Sequence, residues 1–497
     1  MPLAFDLHKN IIELHSKPVG KYPVYFCHRK LLEKVITIPG NPPDYLNEKK
    51  IEMKRFNHYW NYAKNEVHKL TILTSALVLL VAGSSCQKSA SKSPAGASPE
   101  TVLAWNDIAT QAFIHFPEQP APPPMIESRI YAMVNIAMHD ALNNIIPKYK
   151  TYALQSIDRS ANPDAAVAQA AYDVLVAEAP WYKSSYDSLL AVSLNAVAQG
   201  DVKSKGIALG HASATAIKNK RINDGSATAQ FQYVAGNLPG QYQFTAPFDG
   251  APFNGFYVIP GWGKVKPFGL TSAAQFRPAA PYAVVSNDYT TDFNEVKNLG
   301  SVNSPLRTAD QTHLALFWLE NSPTGWNRIA RVLIAGQNGS NMDAWKVARL
   351  FSLLQLAEAD AYIGSCEAKT FYNYWRPITA IHNATTDGNP DTSPDASWEV
   401  LAFPTPPVAD YPSAHATAGG AAASVISAFF GKDNMSFTTT SATNSGSRSF
   451  SSLSQAATEN AESRIFVGYH FRYACIQGKN LGYNIGDYIF AHYLQPQ

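Results

Sequence analysis

Between Met342 and Trp375 the chain reads MDAWKVARLFSLLQLAEADAYIGSCEAKTFYNYW, a long run of helix-forming residues that no proline interrupts. Such a run is a single long helix, and a helix with apolar residues on every side needs other elements packed around it. The neighbouring sequence supplies them. SPETVLAWNDIATQAF starts a helix with Ser98 as N-cap, Pro99 at the first helical position and Glu100 in the first turn. In ESRIYAMVNIAMHDALNNI, the residues Ile130, Met133, Val134, Ala137, Met138 and Ala141 recur at helical spacing, with His139 and Asp140 read as structural. RTADQTHLALFWLE opens with Thr308 and Gln311 in capping-box register. No series of alternating strands competes, so the expected class is all-α, a helical bundle domain. One region breaks the pattern: residues 225 to 303 interleave Gly, Pro and aromatics as a long irregular stretch that wraps the core or serves function.

The segment before Ser98 has a different character. LTILTSALVLLVAGSSC, residues 70 to 86, is a short apolar run behind Lys64 and Lys69 that ends in small residues and Cys86, the marks of a secretory signal. The cysteine makes it similar to a bacterial lipoprotein signal, in which Cys86 carries the lipid anchor. The expected organisation is therefore 1–52 from a misassigned upstream start, 53–86 a signal peptide, 87–97 a polar tether, and 98–497 the folded all-α domain. Export to the periplasm, the outer membrane or the cell exterior follows from it. A net charge of +2 over 497 residues carries no basic stripe for nucleic acid. Of four cysteines, Cys366 and Cys475 fall in the folded part, where an oxidising compartment permits a disulfide and burial permits two free thiols.

Three separated segments carry the chemistry. KTFYNYWRP places Lys369 and Arg376 seven apart, two turns along one helix face, with Pro377 expected to end that helix. YPSAHAT starts a helix near Ser413, whose first turn offers free backbone N–H groups, the Ser413 hydroxyl and His415 to an oxyanion; that helix closes near Gly431. SRIFVGYHFRY sets Arg464 and His470 six apart, roughly 120° around a regular helix, unless Gly468 ends the helix and swings the imidazole back. Taken singly, each has a plain reading: a solvated basic edge, a serine N-cap, a helix end with a buried histidine and a solvated arginine. Together they amount to three cations, hydrogen-bond donors and two imidazoles, an inventory suited to one oxyanion.

In order and spacing, KTFYNYWRP, PSAH and SRIFVGYH resemble the signature of the vanadium-dependent haloperoxidases and type 2 phosphatidic acid phosphatases, K-x6-R-P, P-S-G-H and S-R-x5-H-x3-D. RIYAMVNIAMHDALNN and EVKNLGSVNSPLRTADQTHLALFW are similar to the soluble, exported haloperoxidase branch, which implies an all-α fold of two four-helix-bundle halves. The resemblance implies vanadate as cofactor, with phosphate as an alternative occupant. It assigns His470 to the vanadium atom, Lys369, Arg376, Ser413, Ala414 and Arg464 to the oxygens, and acid–base work to His415. It also implies that Lys369 polarises bound peroxide. Substrates would be hydrogen peroxide, halide and an organic acceptor. The alternatives are a soluble phosphatase acting on phosphate esters through a phosphohistidine at His470, and an oxyanion-binding lipoprotein without turnover. The chain departs from the signature twice: Ala414 replaces glycine, and Ala474 replaces the aspartate that would support the histidine. Val408, seven residues before His415, suggests an apolar wall.

Overall fold

The computed structural model describes residues 97–118, 120–337 and 342–497. The expected misassigned extension, signal peptide, lipid-anchor cysteine and all but the last residue of the tether lie outside the described residues. Within them there are thirteen α-helices and a single two-stranded antiparallel hairpin, which makes the fold all-α. The first five helices are α1 (Pro99–Ile114), α2 (Pro124–Asn143), α3 (Pro163–Glu178), α4 (Lys183–Asn195) and α5 (Asp201–Arg221). Next come α6 (Asn287–Gly300), α7 (Ala309–Phe317), α8 (Ser322–Ala335), α9 (Ala344–Tyr372) and α10 (Pro377–His382). After α11 (Ala414–Phe430), the strands β1 (Phe437–Thr440) and β2 (Ser447–Phe450) pair, and α12 (Leu453–Phe466) and α13 (Arg472–His492) close the chain. No helix of the described residues is long and apolar enough to cross a membrane.

The long run that dominates the sequence is α9, which is buried along nearly its whole length. It packs on α2 on one side and on α11 and α13 on the other, so it is common to both halves of the core. Start signals fall where the sequence places them: Pro99 opens α1, and Thr308 and Gln311 make the reciprocal capping box of α7.

Three expectations need correction. Pro377 does not end the Lys369 helix. That helix stops at Tyr372, with Asn373 in the left-handed region at φ 48°, and Pro377 starts the separate helix α10 with Arg376 as its N-cap. Lys369 and Arg376 therefore do not share a helix face. The irregular stretch also ends sooner than expected, because Ser286 caps α6, whose buried Tyr289, Asp292, Phe293, Val296 and Gly300 follow a helical period. The plain readings of the basic residues fail as well: Lys369 and Arg376 are each 1% exposed and Arg464 is 4% exposed. Cys366 and Cys475 are buried free thiols, and the paired alternative is not realised.

Small residues govern the contact that matters most for the site. A Cβ on Gly478 of α13 would lie 2.5 Å from the Ser413 carbonyl oxygen, and one on Gly486 would lie 2.6 Å from the Ser424 hydroxyl. Gly482 faces the Thr417 carbonyl in the same way, and Gly420 of α11 faces Lys479. Glycine on both sides lets the two backbones touch, which sets the N-terminus of α11 against the first turn of α13. In the irregular stretch, Tyr233, Tyr242 and Tyr257 form an aromatic cluster with Ala409. Its backbone pairs with the segment between the two cations through Tyr242 N–H to Asn373 O at 2.8 Å and Trp375 N–H to Gly240 O at 3.0 Å.

Candidate functional site

Each sequence-selected residue lies at the end of an element. Lys369 is in the last turn of α9 and Arg376 caps α10. Ser413 caps α11, its hydroxyl accepting from the Ala416 amide at 3.4 Å, and Ala414 follows as the first helical residue, so its backbone takes the negative φ of a helix. Arg464 is in the last turn of α12, and His470 lies between α12 and α13. Gly468, at φ 87°, reverses the chain there, and the amides of Tyr469 and His470 both return to the Arg464 carbonyl, at 3.0 and 3.2 Å. That return is how a spacing of six brings imidazole and guanidinium together.

The fold gathers all five charged or titratable side chains. Arg376 Nη1 is 3.0 Å from His470 Nε2 and donates to the Tyr469 carbonyl at 2.8 Å. Nη1 also lies 3.4 Å from Nδ1, but the shorter approach of a guanidinium that can only donate, with the Asp410 carboxyl 2.7 Å from Nδ1, assigns the acceptor role to Nε2 and the proton to Nδ1. Lys369 Nζ donates to the carbonyls of Ala409 and Asp410 at 2.6 and 2.8 Å, while Arg376 Nε holds the Val408 carbonyl at 2.7 Å. Arg464 Nη2 donates to the Trp318 carbonyl at 2.7 Å. His415 Nδ1 is 3.2 Å from the Ser322 hydroxyl, and its Nε2 is buried without a partner.

Electrostatics shows that these groups feel one another. Burial, followed by Arg376, Lys369, Arg464 and His415, pushes the His470 imidazolium well below the usual histidine range. Burial and Arg464 do the same to His415. The Lys369 ammonium is pushed down to about 7 by burial and Arg376, and burial takes Arg464 down to about 10. Lys369, Arg376 and Arg464 are buried with one nearby acid, Asp410, whose carboxyl burial pushes up to about 7 against the pull of Arg376 and Lys369, so an anion would relieve the positive charge of the cluster. The first turn of α11 adds backbone N–H groups and the positive end of a helix.

Two residues of the site were not found from the sequence. Asp410, fully buried, places Oδ1 2.7 Å from His470 Nδ1 and 3.8 Å from Arg376 Nη1. Neither carboxyl oxygen of Asp410 meets hydrogen-bond angles with a partner, so the carboxyl stands against the neutral ring without a linear hydrogen bond. Ser322, at the start of α8, meets His415. The D-Y-P-S-A-H order put Asp410 three residues ahead of Ser413, the one signal available. His139 and Asp140 are structural: the Asp140 carboxylate accepts the amides of Tyr152, Ala153 and Leu154 and ties down the chain after α2.

Residues 349–496 match the model of the VCPO second helical-bundle domain. Vanadium chloroperoxidase of Curvularia inaequalis is 25% identical over 406 residues, which cover 66% of this chain and 65% of that protein. The structure of a bacterial vanadium-dependent iodoperoxidase superposes with a TM-score of 0.68 at 26% identity, covering 82% of this chain and 99% of the other. An apo bacterial vanadium-dependent chloroperoxidase shares the fold, at a TM-score of 0.62 and 17% identity over 75% of this chain and 96% of its own.

Proposed function

This chain belongs to the vanadium haloperoxidase superfamily, and from that premise we propose that it binds vanadate among Lys369, Arg376, Ser413, Arg464 and His470 and oxidises a halide with hydrogen peroxide. One observation carries the reading. Three buried cations surround an imidazole whose acceptor nitrogen faces them, at the N-terminus of a helix. That donor set fits a tetrahedral oxyanion: lysine and two guanidinium groups for the oxygens, a hydroxyl and the Ala414 amide for a further one, and His470 Nε2 as the electron-pair donor. Bound vanadate supplies the Lewis acidity that activates peroxide towards halide.

The protein's own part is to hold and to move protons. The proton on His470 Nδ1 leaves the Nε2 lone pair free for bonding. His415, kept neutral by burial beside Arg464, offers Nε2 as the base that takes a proton from arriving peroxide and returns it when the hypohalous acid leaves. Lys369 adds positive charge where negative charge develops on the oxygen that accepts the electron pair. The segment carrying Val408, fastened to Arg376 and packed beside Tyr242 and Tyr257, walls one side with apolar surface.

A second reading, phosphate-ester hydrolysis through a nucleophilic His470, gains support from Asp410, whose carboxylate stands beside the imidazole as such a nucleophile requires. A binding protein without turnover, the third reading, would hold vanadate and show neither activity. One assay decides. With phosphate removed and vanadate added, the purified protein is expected to brominate or iodinate an acceptor in the presence of peroxide, and His470→Ala to abolish this. Hydrolysis of an aryl phosphate without any halogenation would overturn the proposal.

A further inference from the structure

We propose that Asp410 is the positioning residue for His470, a carboxylate brought to the ring by the loop ahead of α11 where position 474 of α13 supplies none. The inference rests on the reading above for the identity of the anion, but its geometric core does not. Asp410 is fully buried and is held on several sides. Its amide donates to the Tyr374 carbonyl at 2.8 Å, and its carbonyl accepts Lys369. The preceding amide, of Ala409, donates to the Tyr257 hydroxyl at 3.2 Å. Arg376 clamps the loop further back through the carbonyls of Val408 and Pro406, at 2.7 and 3.2 Å. The two cations that face the anion site thus also place the carboxylate.

Position 474 explains why a loop residue takes this task. Ala474 is one turn past His470 and 1% exposed, and its carbonyl accepts the Ser413 amide at 3.0 Å. Beyond its methyl group lies a cavity of about 10 Å³ bordered by Ala474, Asp292, Asp410 and Phe471. This is room of the order of one water, shared by Asp410 and Ala474. A carboxylate grown from Ala474 would enter that cavity beside Asp410. Either source sets a carboxyl oxygen against the Nδ1–H, which fixes ring orientation and makes Nε2 a stronger donor to whatever it binds.

The test compares Asp410→Asn, Asp410→Ala and the double variant Asp410→Ala/Ala474→Asp, each as full-length protein and each checked for a wild-type-like melting transition. Vanadate affinity, measured at equilibrium without peroxide or halide, is expected to fall about 10- to 100-fold in Asp410→Ala. It should fall less in Asp410→Asn, whose amide oxygen can still accept, and return to within a few-fold of wild type in the double variant. In vanadate-free protein, a His470 ring-proton signal coupled to Nδ1, which reports the tautomer Asp410 selects, should weaken in Asp410→Ala and return in the double variant. A merely structural role for Asp410 would not bring this signal back from a carboxylate at another position. Unchanged affinity and signal in a folded Asp410→Ala, or a folded double variant that recovers neither, overturns the assignment. If the wild type binds no vanadate, the cofactor reading fails while the proton signal still decides the role of Asp410.

Discussion

His415 and His470 are both desolvated imidazoles, and what their nitrogens meet assigns them different work. His470 has Arg376 on one nitrogen and Asp410 on the other, while His415 has Ser322 on Nδ1 and nothing on Nε2. A nitrogen that is buried and unpartnered is poised to exchange a proton with a substrate. His415→Ala is therefore expected to lower the vanadate-dependent kcat by about 10²- to 10⁴-fold while leaving vanadate affinity within a few-fold, a split that steady-state kinetics and equilibrium binding measure together. An equal loss of both would place His415 among the anion-holding groups instead. The cations and imidazoles were legible in the sequence from the order and spacing of three short segments, and Gly468 marked the chain reversal that returns His470 to Arg464. Asp410 and Ser322 were not, because a contact such as Ser322 to His415, 93 residues apart, depends on chain closure rather than local spacing.

At the level of elements, the site depends on how closely α11 and α13 approach. Gly478 and Gly482 sit over the Ser413 and Thr417 carbonyls, and a methyl group at either has no room without moving backbone. Overpacking of this kind costs roughly 1–3 kcal/mol. Gly482→Ala is expected to lower the denaturation midpoint accordingly. Gly478→Ala should do that and also weaken vanadate binding, because the atom it displaces belongs to the residue that caps the anion-facing helix. Equal vanadate affinity in the two variants would show that the seam supports the fold without setting the site. Glycines 478, 482 and 486 recur every fourth residue, but nothing local in the sequence names the helix that such a face packs against. The helix α6 was hidden for a different reason: its Thr-rich start follows a Gly- and Pro-rich stretch, and its few apolar residues, Tyr289, Phe293 and Val296, read as part of that stretch. The hairpin escaped notice because each strand has only four residues.

Across the whole molecule, the core around α9 encloses acids that have no cation against them. Glu127 of α2 accepts the Asn321 amide at 2.7 Å and the Thr324 hydroxyl at 2.5 Å, and burial pushes its carboxyl up to about 7. Burial drives Glu358 of α9 well above the carboxylate range, with the Gln355 amide at 2.6 Å pulling the other way. For such a group the folded state holds its proton more tightly than the unfolded chain does. Below the ordinary glutamate range both states are neutral and the stabilisation is complete. As pH rises, the unfolded chain ionises first, so stability declines until the folded carboxyl itself ionises, near 7 for Glu127. A rise from 4.5 to about 7 corresponds to on the order of 3 kcal/mol across that window. The denaturation midpoint is therefore expected to fall between pH 5 and pH 8, by a margin that Glu127→Gln reduces because an amide does not titrate. Denaturant titrations of both proteins over this range measure the difference in slope. Parallel profiles would mean that Glu127 ionises equally in both states and that the core admits the charge. The opposite sign, stability rising with pH, would instead assign control to carboxylates paired with cations, such as Asp224 beside Arg129 and Arg221, whose carboxyl those guanidinium groups lower.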